Sequence, residues 1–144
     1  MIVIASDHAG VVLKAELIEI IREIGREVRD LGPADTQSVD YPDFAHRVAE
    51  AVSSGEAEMG VLVCGTGIGM SLSANRHPGI RAALCHDAFT AEMARRHNDA
   101  NILCMGARVI GGGVAAHMTK IFLATNFEGG RHQRRVDRIE RGES

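Results

Sequence analysis

At 144 residues, with 45% hydrophobic and 24% charged residues, the chain has the size and composition of one globular domain with a single core. Its 16 Lys+Arg against 19 Asp+Glu leave a net charge of −3, and one Tyr, four Phe and no Trp offer no stacking platform, which argues against nucleic acid as a partner. An odd count of three cysteines, and a start 1-MIVIASDHAG-10 without signal-peptide character, predict a reduced, soluble, cytoplasmic protein; no apolar run approaches the roughly 20 residues that span a bilayer.

Short apolar runs recur at 1–5, 28–31, 59–64, 80–85 and 101–105, each the length of a strand buried on both faces. Between the first two, Leu13, Leu17, Ile20, Ile21 and Ile24 fall at helical spacing, with Lys14, Glu16, Glu19, Arg22 and Glu23 on the opposite side. The segment 32-GPADTQSVDYP-42 is rich in turn-forming residues and predicts a surface loop, with a helix starting after Pro42. Helical patterns follow at 44–52, 68–75, 87–97 and 114–123. Composition then shifts at 126–144, which holds five arginines, and the pair Gly129-Gly130 marks a break before a helix starting near Arg131. Strands alternating with helices predict an α/β fold: a doubly wound, parallel, five-stranded, Rossmann-like sheet with helices on both faces, forming one domain over residues 1–144.

Ligands of such sheets collect outside the carboxyl ends of the strands. Three elements fall there: Asp7-His8 after the first strand, Cys64 and its glycine loop after the third, and His86-Asp87 after the fourth. In 61-VLVCGTGIGMSLSANR-76, Gly65, Gly67 and Gly69 permit a backbone whose successive N–H groups hold an anion at a helix start. A dinucleotide site would want G-x-G-x-x-G after the first strand, where 6-SDHAG-10 stands instead. A cysteine phosphatase would want arginine six positions after its nucleophile, where Met70 stands. A phosphate loop would want G-x-x-x-x-G-K-[ST], and neither lysine, Lys14 or Lys120, has that context. A thiol beside an anion nest suits proton abstraction next to a carbonyl, with fixed donors stabilising the enediolate; the competing reading makes Cys64 a small buried residue ending a strand, as Cys85 and Cys104 are expected to be. The histidines show no ligand spacing, so no metal site is predicted, and His86-Asp87 reads as a strand end with a helix N-cap.

The blocks 6-SDHAG-10, 41-YPDFA-45, 64-CGTGIG-69 with 74-ANR-76, 96-RHNDAN-101, 106-GARVIG-111 and 128-EGGRHQRRV-136 together resemble type B ribose-5-phosphate isomerase, within the sugar-phosphate isomerases that include the allose-6-phosphate and galactose-6-phosphate enzymes. The resemblance implies an aldose–ketose isomerase interconverting ribose 5-phosphate and ribulose 5-phosphate through an enediolate, without metal or organic cofactor. It implies Cys64 as the base moving the proton between C1 and C2, Thr66 as a hydroxyl near the reacting oxygens, and the backbone of Gly65, Thr66, Gly67, Ile68 and Gly69 as the anion hole. His97 matches the ring-opening acid–base residue, Asn98 a substrate contact, Asp7 and His8 the pair at the sugar hydroxyls, and Arg108, Arg131 and Arg135 the phosphate-side cations. Some relatives carry serine for the cysteine and a glutamate base six positions later; Met70 places this chain in the cysteine branch. The resemblance further implies a homodimer, or a tetramer, with active sites shared between subunits. Arg131 and Arg135 lie four apart on one helical face, a spacing that lets two guanidiniums grip one phosphate, and the acidic residues interleaved with Arg134, Arg138 and Arg141 leave those three on the surface.

Overall fold

A computed structural model of the chain describes residues 1–141. Five parallel strands run β1 (Ile2–Ser6), β2 (Val28–Asp30), β3 (Met59–Cys64), β4 (Ala82–Leu84) and β5 (Ile102–Gly106), in the order β2-β1-β3-β5-β4. Six helices connect and flank them: α1 (Val11–Glu23), α2 (Tyr41–Ser53), α3 (Ile68–Ala74), α4 (Ala88–Asn98), α5 (Gly112–Ala124) and α6 (Arg131–Arg141). A short 3-10 turn, His8–Gly10, precedes α1.

The strand order explains the layering. The chain moves toward β2 through α1 and from β4 back to β5 through α4, and both helices lie on one face with α5, around Leu17, Ile21, Leu103, Met118 and Phe122. Moves in the other direction, β2 to β3 and β3 to β4, use α2 and α3 on the opposite face, around Val3, Phe44, Val48, Leu62 and Met70. Leftward steps on one face and rightward steps on the other are what crossovers of a single hand require. The chain therefore leaves β1 and β3 in opposite directions, and a crevice opens between their carboxyl ends.

Burial corrects three sequence-based expectations. Strands β1, β3 and β5 are fully buried, whereas β2 and β4 are the sheet's edges and only partly covered, so not all five runs are enclosed on both faces. The inner face of α1 is Leu13, Leu17, Ile18 and Ile21, while Ile24 ends the helix in solvent. Lys14, placed outward by the pattern, is only 2% exposed because Asp30 and a loop carbonyl receive its ammonium. Helix α2 begins at Tyr41, with Pro42 in its first turn rather than before it, where a missing N–H costs nothing. Asp87 caps α4 as expected, accepting from Thr90 N at 2.7 Å and Thr90 Oγ1 at 2.9 Å, and these bonds hold its carboxyl below the usual value.

Candidate active site

The crevice between β1 and β3 is a cleft of about 420 Å³ lined by Asp7, Cys64, Thr66, Gly69 and Arg108, with Tyr41, Gly65, Ile68 and Leu72 completing its walls. Cys64 ends β3 because the strand register pairs it with Gly106, after which both chains turn. The two turns are stitched together: Ala107 N donates to Cys64 O at 2.8 Å and Arg108 N to Gly65 O at 3.0 Å. This brings the Arg108 guanidinium over Gly65, where an added Cβ would stand 3.4 Å from Nη1. Arg108 is thereby in the thiol's own cleft.

The loop holds its sulfur directly. Gly67 N donates to Cys64 Sγ at 3.1 Å, and Gly67 reaches that position with φ +82°, a left-handed conformation that glycine adopts without strain. Ile68 N donates to Thr66 Oγ1 at 3.2 Å. The simple expectation of a row of free N–H groups is thus modified: two of them serve the thiol and the threonine hydroxyl, which fixes both side chains. Cys64 is 5% exposed yet lines the cleft, whereas Cys85 and Cys104 are buried in the core and burial pushes both thiols up. Met70 is fully buried among core residues, so the position six after the cysteine supplies no group to the cleft.

On the β1 side, Asp7 caps the 3-10 turn, its Oδ1 accepting from Ala9 N at 2.9 Å and Gly10 N at 3.1 Å. His8 follows within that turn, and its Nδ1 accepts from Val39 N at 3.3 Å. Tyr41 and Leu72 are cleft residues that sequence reasoning missed, and Tyr41 is the one with a defined contact in the loop. Its ring packs on Gly69 so closely that an added Cβ there would lie 2.3 Å from Cε1. The only signal for Tyr41 was its place in 41-YPDFA-45, as the chain's single tyrosine.

The remaining predicted residues lie elsewhere. Helix α4 descends from the carboxyl end of β4 to Asn98, and β5 starts at Ile102, so His97 and Asn98 sit at the amino-terminal edge of the sheet. Cys64 is level with Gly106, four strand residues further up, which puts roughly 13 Å of sheet height between the two groups. Helix α6 packs beside α4, carrying Arg131 and Arg135 to the same lower edge, both exposed. There His97 stacks on His132 with ring centroids 4.2 Å apart and planes inclined by 13°. Glu128 Oε1 lies 3.8 Å from His97 Nε2 and 3.5 Å from His132 Nε2. His132 is buried, and burial first, then His97 and Arg131, push its imidazole below the ordinary value. His97, Glu128 and His132 bring three potential ligand atoms within 4.8 Å of one another, but near-parallel rings set their nitrogen lone pairs side by side instead of aiming them at one ion. Asn98 faces a separate 520 Å³ groove with Arg81, Ile139 and Glu140.

The sequence pattern of the family described as Ribose/Galactose Isomerase matches residues 2–139. The chain belongs to the ribose/galactose isomerase family. Among family relatives, YwlF of Bacillus subtilis strain 168, provisionally named a sugar phosphate isomerase, is 55% identical over 139 residues, covering 96% of this chain and 93% of its own. Ribose-5-phosphate isomerase B of Escherichia coli K12 is 44% identical over 133 residues, covering 92% and 89%. The structure of Clostridium thermocellum ribose-5-phosphate isomerase B superposes with a TM-score of 0.96 at 49% identity, covering 97% of this chain and 95% of that one. The doubly wound five-stranded sheet is the fold this chain shares with that structure. No helix among the described residues is long and apolar enough to cross a membrane.

Proposed function

We propose that the chain is a cytoplasmic aldose–ketose isomerase that interconverts D-ribose 5-phosphate and D-ribulose 5-phosphate through an enediolate. The observation that carries this reading is the Cys64 thiol, held by the Gly67 amide on the wall of a cleft that also contains Asp7, Thr66 and Arg108. Starting from the aldose, the Cys64 thiolate takes the proton from C2, electrons move into the C1 carbonyl, and the resulting enediolate oxygen is met by the remaining loop amides of Gly65 to Gly69. The thiol then returns the proton to C1, while a proton moves between O2 and O1 with the Thr66 hydroxyl alongside. Asp7 and His8 engage the sugar hydroxyls, and Ile68 bounds the pocket.

The placement of His97, Asn98, Arg131 and Arg135 at the opposite sheet edge supports a homodimer whose sites are shared: one subunit supplies Cys64, and its partner supplies the ring-opening His97, the contact Asn98 and the phosphate-binding arginines of the 126–144 segment. Exposed apolar Ile68 and Leu72 beside the cleft mouth are then covered by the second subunit. Incubating the protein with ribose 5-phosphate in deuterated water tests the reading: ketose forms and the C2 hydrogen exchanges with solvent. Binding without ketose or exchange would make the protein a sugar-phosphate sensor, and faster turnover of allose or galactose 6-phosphate would move the substrate to six carbons.

A further inference from the structure

Lys14 is an expensive residue for its place. An ammonium buried to 2% exposure is costly to desolvate, and its Nζ donates to Asp30 Oδ1 at 2.9 Å and to Pro33 O at 2.5 Å. A buried ammonium paired with a half-exposed carboxylate adds little net stability over an apolar side chain of similar size, so its use lies in what it fixes. Both acceptors belong to the exit from β2. Asp30 Oδ1 also takes Gly32 N at 2.8 Å, and Gly32 O takes Ser6 N at 3.1 Å, immediately before Asp7. The loop pinned there, residues 31–40, has no helix or strand of its own and leads straight to two site-facing contacts: Val39 N on His8 Nδ1 at 3.3 Å, and Tyr41 against Gly69.

The Val39 contact determines a chemical state. A ring nitrogen that accepts a hydrogen bond carries no proton, so the uncharged His8 ring has its single proton on Nε2 and meets a ligand as a donor through that atom. We propose that Lys14 is a positioning residue for His8: by fixing the 31–40 loop it keeps Val39 N–H on Nδ1 and so sets the tautomer that His8 presents to substrate. The consequence for catalysis rests on the isomerase reading, in which His8 meets a sugar hydroxyl; the tautomer itself does not.

Nitrogen-15 spectra of the imidazole rings in the full-length protein at pH 8, with the His8 signals assigned from a His8→Ala spectrum, report the tautomer without any turnover. The wild type is expected to show His8 protonated on Nε2. Lys14→Met is expected to mix the two tautomers and to raise KM for ribose 5-phosphate about fivefold, with kcat and melting temperature little changed, as for the loss of one ligand hydrogen bond. Asp30→Ala, at a half-exposed position that removes the acceptor of Lys14 and of Gly32 N, is expected to do the same and keeps the test open should Lys14→Met fold poorly. A wild-type His8 protonated on Nδ1, or His8 signals and KM that stay at wild-type values in either folded variant, overturns the proposal. A wild type that forms no ketose, yet shows the Nε2 tautomer shifting in the variants, overturns the isomerase reading and leaves the positioning role intact.

Discussion

The amide of Gly67 donates to the sulfur of Cys64 at 3.1 Å, across a turn that only a left-handed residue completes. That bond fixes the sulfur on the wall of the cleft that Asp7, Thr66 and Arg108 also line. Replacing Cys64 by alanine is expected to lower kcat at least about a thousandfold while ribose 5-phosphate still binds, as fits the loss of a positioned base. Equilibrium binding beside stopped-flow turnover separates the two effects; a near-normal kcat would move the base elsewhere. Iodoacetamide is expected to modify Cys64 ahead of Cys85 and Cys104, whose buried thiols are pushed up, and saturating substrate is expected to block that modification.

The glycines of the loop differ in what surrounds them, and so in what their replacement does. At Gly67 an alanine methyl would lie 2.8 Å from the Met105 carbonyl carbon at φ +82°, so both backbone strain and a rigid neighbour oppose it. Gly67→Ala is expected to cost roughly 1–3 kcal/mol of stability, read by urea titration, together with activity. At Gly69 the obstacle is the Tyr41 ring, which has room to swing out at the surface. Gly69→Ala is expected to keep its melting temperature and lose roughly tenfold or more in kcat/KM, because the displaced ring no longer bounds the substrate.

His132 gives a stability signature. Its folded-state value is depressed by burial and by the neighbouring His97 and Arg131, so below the ordinary histidine value of about 6.5 the unfolded chain binds the proton more readily than the folded one. Its contribution is therefore complete above that pH and is lost as acidification proceeds from there toward the folded value. Denaturant unfolding at a series of pH values between about 5 and 8 is expected to show wild-type stability falling on the acid side, with a shallower fall in His132→Gln. Equal slopes would mean that the His97–His132 stack does not resist the proton.

The sheet, its helices and the position of the thiol were legible because they depend on local signals: buried apolar runs, helical spacing and glycines at a strand end. The exceptions have physical reasons. Lys14 reads as a solvent residue by its type, and only the return of Asp30 and Pro33 from the β2 exit makes it a buried one. No spacing signal pairs His132 with His97, because their stack depends on α6 folding back on α4, a long-range event. Likewise, His46 Nδ1 and His77 Nε2 meet at 2.7 Å between α2 and the turn after α3, a pairing that sequence spacing does not announce. The six blocks of the family resemblance gave Arg108, Arg131 and Arg135 one role, and the strand order separates them, with Arg108 at the thiol and the other two at the far edge.

That separation makes the strongest prediction. Cys64 and Arg135 stand at opposite ends of the same sheet, and a helix carrying Arg135 cannot cross roughly 13 Å of sheet height without leaving α4. If each site takes its thiol from one subunit and its phosphate arginines from the other, two dead proteins can repair one another. Cys64→Ala alone is inactive, and Arg135→Ala alone has a raised KM that leaves it nearly silent at low substrate. Mixed by co-refolding in equal amounts, half the dimers are heterodimers, and in each of these one site has both changes and the other has neither. About a quarter of all sites are then intact, so the mixture is expected to show about a quarter of wild-type activity at low substrate. Activity no greater than the average of the separate variants would mean that Cys64 and Arg135 of one subunit serve the same site, and that the sites are not shared between subunits.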